Sequence, residues 1–188
     1  MSTEHSISCI SADSVMSHMP ADYEVVPIGI TQEGVWVEGV ANPAKGAELP
    51  VVKPGREVAL SLNPQRKGLL YDVTSGETIT TIDAVFPVLH GKYGEDGTVQ
   101  GLLEMAGVPY VGPGVLASAC GMDKEYTKKL VAAVGIPVTR EVILDGAREL
   151  TEAERSHLGL PVFVKPANGG SSIGVSKVTS WEALPAAG

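Results

Sequence analysis

Apolar positions fall in short runs along this chain, and the spacing changes from run to run. Ile7, Ile10 and Val15 give a loose helical stripe. Ser2 or Thr3 can cap that helix, Glu4 suits its first turn, and Pro20 stops it. A β-branched run over 25–30, a turn at Gln32-Glu33-Gly34 and Val35-Trp36-Val37 read as a hairpin. Residues 41–55 hold three prolines and two glycines and read as an irregular loop. Three more short strands are expected over 58–62, 69–73 and 78–82, split by Asn63-Pro64 and Ser75-Gly76. Residues 84–89 are nearly all apolar, which suits a parallel strand buried on both faces, although Pro87 cannot donate to a ladder.

The second half changes rhythm. A helix over 98–106 is closed by Gly107 and Pro109, and 109–111 begins another strand. A short helix starts near Val115. Asp123 caps the next helix, which Gly135 and Pro137 end. A change of unit near Asp123 divides the chain into 1–122 and 123–188. Beyond it, 141–144 reads as strand, and Thr151-x-x-Glu154 as a capping box. Residues 162–165 and 173–178 read as strands around Asn168-Gly169-Gly170-Ser171-Ser172, and Ser180 caps a last helix. This order of strand, loop and helix indicates an α/β protein.

Composition narrows the function classes. At 188 residues, 44% hydrophobic and 19% charged, the chain can bury a core in one or two domains. A net charge of −8 argues against nucleic acid or an anionic membrane surface as partner. No apolar run reaches the ~20 residues of a membrane span. The polar start does not read as a signal peptide, so a cytoplasmic protein is expected. Cys9 and Cys120 read as reduced, buried thiols, because two isolated cysteines build neither a disulfide scaffold nor a zinc site.

Two loops leave apolar strands, where ligands of open α/β sheets bind. The first is His90-Gly91-Lys92-Tyr93-Gly94-Glu95-Asp96-Gly97. A His, a Lys and two carboxylates on a glycine-rich loop can orient a substrate, or merely decorate a solvated turn. The second is Gly169-Gly170-Ser171-Ser172-Ile173-Gly174, entered through Lys165. Its glycines can turn backbone N–H groups toward an anion, and Lys165 can neutralise a phosphate. It is not a P-loop, since no Gly-Lys-Ser/Thr follows. Gly112-x-Gly114-x-x-Ala117 lacks a ribose-binding acid downstream and reads as a turn into a helix. Lys124 and Lys128 share a helix face. Lys128 and Lys129 read as solvated, His5, His18 and His157 as surface histidines, and Trp36 and Trp181 as packing residues.

Residues 90–101, ending Thr98-Val99-Gln100-Gly101, resemble the signature of D-alanine-D-alanine ligases. Thr3-Glu4-His5-Ser6-Ile7-Ser8 resembles the family's amino-terminal segment. Gly121-Met122-Asp123-Lys124 resembles its Met-Asp-Lys, and Val164-Lys165-Pro166 through Val175 its phosphate-covering loop. The four segments stand in the family's order along essentially the whole chain. The resemblance implies a Rossmann-like (pre-ATP-grasp) amino-terminal domain followed by the first part of an ATP-grasp domain. It implies an ATP-dependent enzyme of peptidoglycan synthesis that joins two D-alanines through an acylphosphate. Glu4 would bind the ammonium of the first D-alanine, with Ser171 hydrogen-bonding near it; these two form the catalytic pair. His90 would meet the substrate carboxylate, and Glu95 would orient that loop. Lys124 and Lys165 would contact ATP phosphates, under a loop shaped by Gly169, Gly170 and Ser172, with Ser171 also on the ATP side.

The resemblance also implies departures. Family members begin with an apolar strand and a Gly-Gly turn before the Glu, and this chain is expected to start after both. The second half of the ATP-grasp, with its Mg²⁺ ligands and the loop that selects the second substrate, is expected beyond Gly188. The 188-residue chain is therefore expected to be inactive alone, and the full-length enzyme to be a homodimer. Two other readings stay open: a D-alanine-D-lactate ligase, and a non-catalytic module that binds nucleotide or D-alanine.

Overall fold

A computed structural model describes residues 4–39, 49–146 and 148–187. The chain forms two compact units, Met1–Ala119 and Cys120–Gly188.

The first unit opens on α1 (His5–Ser17). Glu4 stands at the N-cap of this helix, one position ahead of the expected first turn, and its side chain makes no capping bond. Ser8 N–H donates to the Glu4 carbonyl, which starts the helix one residue later than expected. The expected capping by Ser2 or Thr3 lies outside the described residues. Strands β1 (Ile28–Ile30) and β2 (Trp36–Glu38) pair antiparallel across the Gly34 turn, as the β-branched run and the turn residues predict. Of the expected 41–55 loop, residues 49–55 carry no regular structure and 41–48 lie outside the described residues.

A three-stranded antiparallel meander follows: β3 (Val58–Leu60), β4 (Leu69–Asp72) and β5 (Thr78–Thr81). A bridge between Val37 and Glu57 ties the hairpin to it. Leu70 of β4 and Leu103 of α2 (Thr98–Ala106) are fully buried, with Val37, Val58, Val99, Ala106 and Val108 also in the core.

The parallel strand expected over 84–89 is reduced to a single parallel bridge, Val85 to Tyr110. Val85 N–H donates to the Pro109 carbonyl, and Val111 N–H returns to Val85. Pro87 has no N–H to extend this pair, and Phe86 is half exposed rather than sandwiched. The strand expected at 109–111 shrinks with it.

Asp72 shows how polar groups close the meander. Its carboxylate accepts Arg56 Nε–H at 2.6 Å and the N–H groups of Thr74 and Ser75, each at 2.8 Å. The Arg56 guanidinium, followed by these amides, holds its pKa down to about 2 from 3.8. A depressed carboxyl stabilises the fold above its unfolded pKa and loses that contribution as pH falls toward the folded value. Glu154, held down to about 2 by Arg148, titrates in the same window, so a variant comparison is needed to isolate Asp72. Melting temperatures at about pH 5 and about pH 2.5 should therefore differ less in Arg56→Gln than in the parent. Equal acid losses in both would contradict this account.

α3 (Val115–Met122) spans the junction between the units. In the second unit α4 (Lys124–Ala133) is capped by Asp123, whose carboxylate accepts the N–H groups of Glu125 and Tyr126. The strand expected over 141–144 does not form. Glu141 instead pairs with Lys128 at 2.7 Å, and Lys128 also reaches the Thr139 carbonyl. Lys128 is thus a tether for the chain after α4 rather than a solvated lysine. Lys129 stays largely exposed and pairs with Glu125 on its own helix. α5 (Glu152–Leu158) begins with the expected Thr151/Glu154 capping box.

Strands β6 (Val162–Val164) and β7 (Ser176–Val178) pair antiparallel. β6 stops at Val164, one residue short of expectation, and β7 starts late because residues 171–174 form turns rather than strand. The last helix is a 3-10 segment, Trp181–Ala186, without a Ser180 side-chain cap and with Pro185 inside it. Its Trp181 packs under the Arg155 guanidinium at 5.9 Å. Among the described residues no helix is long and apolar enough to cross a membrane.

Candidate active-site elements

The glycine-rich loop of the first unit is folded by its own carboxylates. Glu95 accepts Gly91 N–H at 2.5 Å. Asp96 accepts Tyr93 N–H at 2.9 Å and Thr98 N–H at 3.1 Å, which starts α2. Burial alone would raise the Asp96 carboxyl, but these donors together hold it below the ordinary range. They also hold Tyr93 at φ +70, a conformation uncommon for a side chain of that bulk. Gln100 reaches from α2 to the Gly94 carbonyl at 2.9 Å. Gly94 packs so tightly on Leu89 that a Cβ would lie 2.4 Å from the Leu89 side chain and 2.5 Å from its carbonyl. Of the charges expected to face a substrate, the Glu95 and Asp96 carboxylates instead accept N–H groups of the loop itself.

His90 sits at the mouth of this loop, held from α1. Its N–H donates to Ser8 Oγ at 2.8 Å, and its Nε2 lies 2.9 Å from Ser11 Oγ. Sequence reading missed both serines. Their signal was a pair of small hydroxyls three apart on the helix that follows Glu4. His5 is also no surface residue. Its Nε2 accepts Val52 N–H at 3.2 Å and lies 3.7 Å from Cys9 Sγ. Cys9 is buried as expected, and burial pushes its thiol pKa up. Cys120 is only half-buried.

In the second unit, Lys124, Lys165, Gly169, Gly170, Ser171 and Ser172 line one open groove of about 390 Å³ with Phe163, Ile173 and Val175. Lys165 lies just past β6, not on it. Two stitches hold α4 to the loop. Lys124 N–H donates to the Ala167 carbonyl at 3.0 Å, and Lys124 Nζ to the Gly169 carbonyl at 2.7 Å. Asp123 and Asn168 form an antiparallel bridge beside them. The first-turn amides of α4 are thus spent on Ala167 and Asp123, so cationic character in the groove comes from the two ammonium groups. Gly169, Ser171, Ser172 and Gly174 all have positive φ. At Gly174 a Cβ would press on Pro166 at 3.0 Å, so glycine is required there twice over.

This donor set fits an anion such as a phosphate chain, not a hard cation. Among the described residues no three His, Cys, Asp or Glu side chains gather as a metal-binding group. A larger groove of about 540 Å³ lies on the meander, but Arg66 is the single charged residue in its lining.

Comparisons with known proteins agree with the order of these elements. Residues 1–113 match the family model of the D-ala D-ala ligase N-terminus, and residues 130–187 that of its C-terminus. A D-alanine--D-alanine ligase of Corynebacterium aurimucosum is 58% identical over 190 residues, covering 99% of this chain and 53% of that protein. The D-alanine-D-alanine ligase structure from Coxiella burnetii superposes with a TM-score of 0.79 at 29% identity, covering 99% of this chain and 56% of that one. The VanG D-Ala:D-Ser ligase from Enterococcus faecalis gives 0.76 at 34%, covering 99% and 55%. The chain spans about half the length of the curated relatives it matches. Over that span, with its two glycine-rich loops and the Asp123-Lys124 helix start between them, the chain belongs to the D-alanine-D-alanine ligase family.

Proposed function

We propose that this chain carries the amino-terminal part of an ATP-dependent ligase that makes D-alanyl-D-alanine for peptidoglycan. The observation that supports it best is the shared groove of Lys124, Lys165 and the 169–172 loop in a chain of this family. ATP transfers its γ-phosphoryl to the carboxylate of one D-alanine. The amine of the second attacks that acylphosphate carbon, the C–O bond to phosphate breaks, and phosphate leaves. The amine loses a proton in the same step. Catalysis is then mainly positioning and charge neutralisation.

In this reading Lys124 and Lys165 bind phosphate oxygens, and Gly169, Gly170 and Ser172 shape the backbone over them. Glu4 pairs with the ammonium of the first D-alanine, and Ser171 belongs to the loop on the ATP side. His90 meets its carboxylate, and Glu95 keeps the His90 loop in shape. Mg²⁺ would neutralise charge between phosphates, held by residues outside these 188. Part of the same proposal is that the 188-residue chain does not turn over alone and that the whole enzyme is a cytoplasmic homodimer.

Phosphate release by the full-length enzyme, with ATP and either D-alanine, D-serine or D-lactate as second substrate, tests the activity. D-alanine should be the preferred acceptor. Glu4→Gln should raise the KM for D-alanine at least about tenfold, the value of one charge-assisted hydrogen bond. Unchanged D-alanine kinetics in that variant would remove Glu4 from the site.

A further inference from the structure

Ser8 and Ser11 are the feature of the first unit that the family signature and the substrate assignments leave unexplained. They lie three residues apart on α1, so they share one helix face. Both turn toward the same residue on a segment about 80 positions away. Ser8 Oγ donates to the Glu4 carbonyl at 3.3 Å and accepts His90 N–H at 2.8 Å. One buried hydroxyl therefore joins the backbones of Glu4 and His90. Ser11 Oγ, 2.9 Å from His90 Nε2, fixes the ring of the same histidine.

We propose that Ser8 and Ser11 are positioning residues that register His90 against Glu4 for the first D-alanine. The inference rests on the reading of Glu4 and His90 as substrate contacts. A hydroxyl that gives one hydrogen bond and takes another fits only one spacing of its two partners. Ser8 thus sets the distance between the two backbones. Ser11 adds what a backbone bond cannot: it holds one orientation of the imidazole, its hydroxyl donating to or accepting from Nε2 according to the tautomer. A side chain with the same face but no hydroxyl would leave the fold of α1 intact and the ring free to turn.

The test uses the full-length enzyme. Ser11→Ala should raise the KM for the first D-alanine about five- to tenfold and leave the KM for ATP within about twofold. Ser11→Thr keeps the hydroxyl at a half-buried position and should restore most of the loss. In a His90→Ala background, Ser11→Ala should have no further effect, because its partner is gone. Full additivity of the two substitutions, or equal changes in both KM values, would overturn the proposal. Ser8→Ala removes a buried junction and can unfold the helix start, so Ser11 carries the kinetic arm. In the 188-residue chain, the ¹⁵N shifts of the His90 ring should move on Ser11→Ala; unmoved shifts also count against positioning. The two readings separate cleanly. If His90→Ala leaves D-alanine kinetics unchanged, the substrate role of His90 fails. If His90→Ala loses affinity and Ser11→Ala does not, the serine proposal alone fails.

Discussion

Gly94→Ala is expected to destabilise the first unit by about 3 kcal/mol, at the upper end of overpacking costs. The reason is which atoms stand in the way. A Cβ at 94 would meet the Leu89 carbonyl at 2.5 Å and its Cβ at 2.4 Å. Neither is the tip of a flexible side chain. Relief requires moving the strand-like segment that carries Val85, or the loop that Glu95 and Asp96 have closed. For a chain of this size the cost translates to a fall of roughly 6–12 °C in melting temperature. Gly101→Ala is the matched control. It lies inside α2 with nothing within 4 Å of its missing Cβ, so alanine there should stabilise by up to about 1 kcal/mol. Melting curves of the two variants should move in opposite directions. If Gly94→Ala melts with the parent, the close approach to Leu89 is wrong.

Lys165→Ala is expected to raise the KM for ATP by roughly 10- to 100-fold in the full-length enzyme, with the KM for D-alanine within about twofold. Lys165 is exposed at the rim of the groove, one residue beyond β6. Lys124, its neighbour in the groove, already spends a hydrogen bond on Gly169. Lys124→Ala should therefore mix two effects, a lost cation and a loosened loop, whereas Lys165→Ala reports on charge. Titrating nucleotide binding against salt separates them further, since a cation-phosphate contact weakens with ionic strength. An unchanged ATP KM would remove Lys165 from the nucleotide site.

Much of the second unit was legible in advance, because its signals are local. Asp123 and Thr151 cap the helices that they were expected to cap, using bonds that span two or three residues. The antiparallel strands of the first unit were legible for the same reason, as turns such as Gly34 set their register. The failures share a different cause. Residues 84–89 and 141–144 have strand-like composition, but a strand also needs a neighbour to pair with. Composition says nothing about the neighbour. At 85 one bridge forms, and at 141 an ion pair to Lys128 takes its place.

The candidate site divides in the same way. Lys165 and the 169–172 loop were legible from type and spacing, Lys124 only from the family resemblance, and all of them line one groove. The Ser8 and Ser11 contacts with His90 were not, because each spans about 80 residues and a serine on a helix is usually silent. Likewise His5 was expected at the surface. Its bond to Val52 depends on a segment brought in by the hairpin.

The loop at 169–174 leaves one further consequence. Ser171 and Ser172 hold φ values of +50 and +59, which cost a side chain about 1 kcal/mol each that glycine would avoid. Glycine already occupies 169, 170 and 174. A chain that required only this curve had the cheaper residue at hand for every step of it. At two adjacent steps it carries a hydroxymethyl group against the conformational gradient. Glycine at 171 or 172 should therefore relieve about 1 kcal/mol of strain, so a loss of activity in Ser171→Gly or Ser172→Gly would report on the hydroxyl and not on the bend.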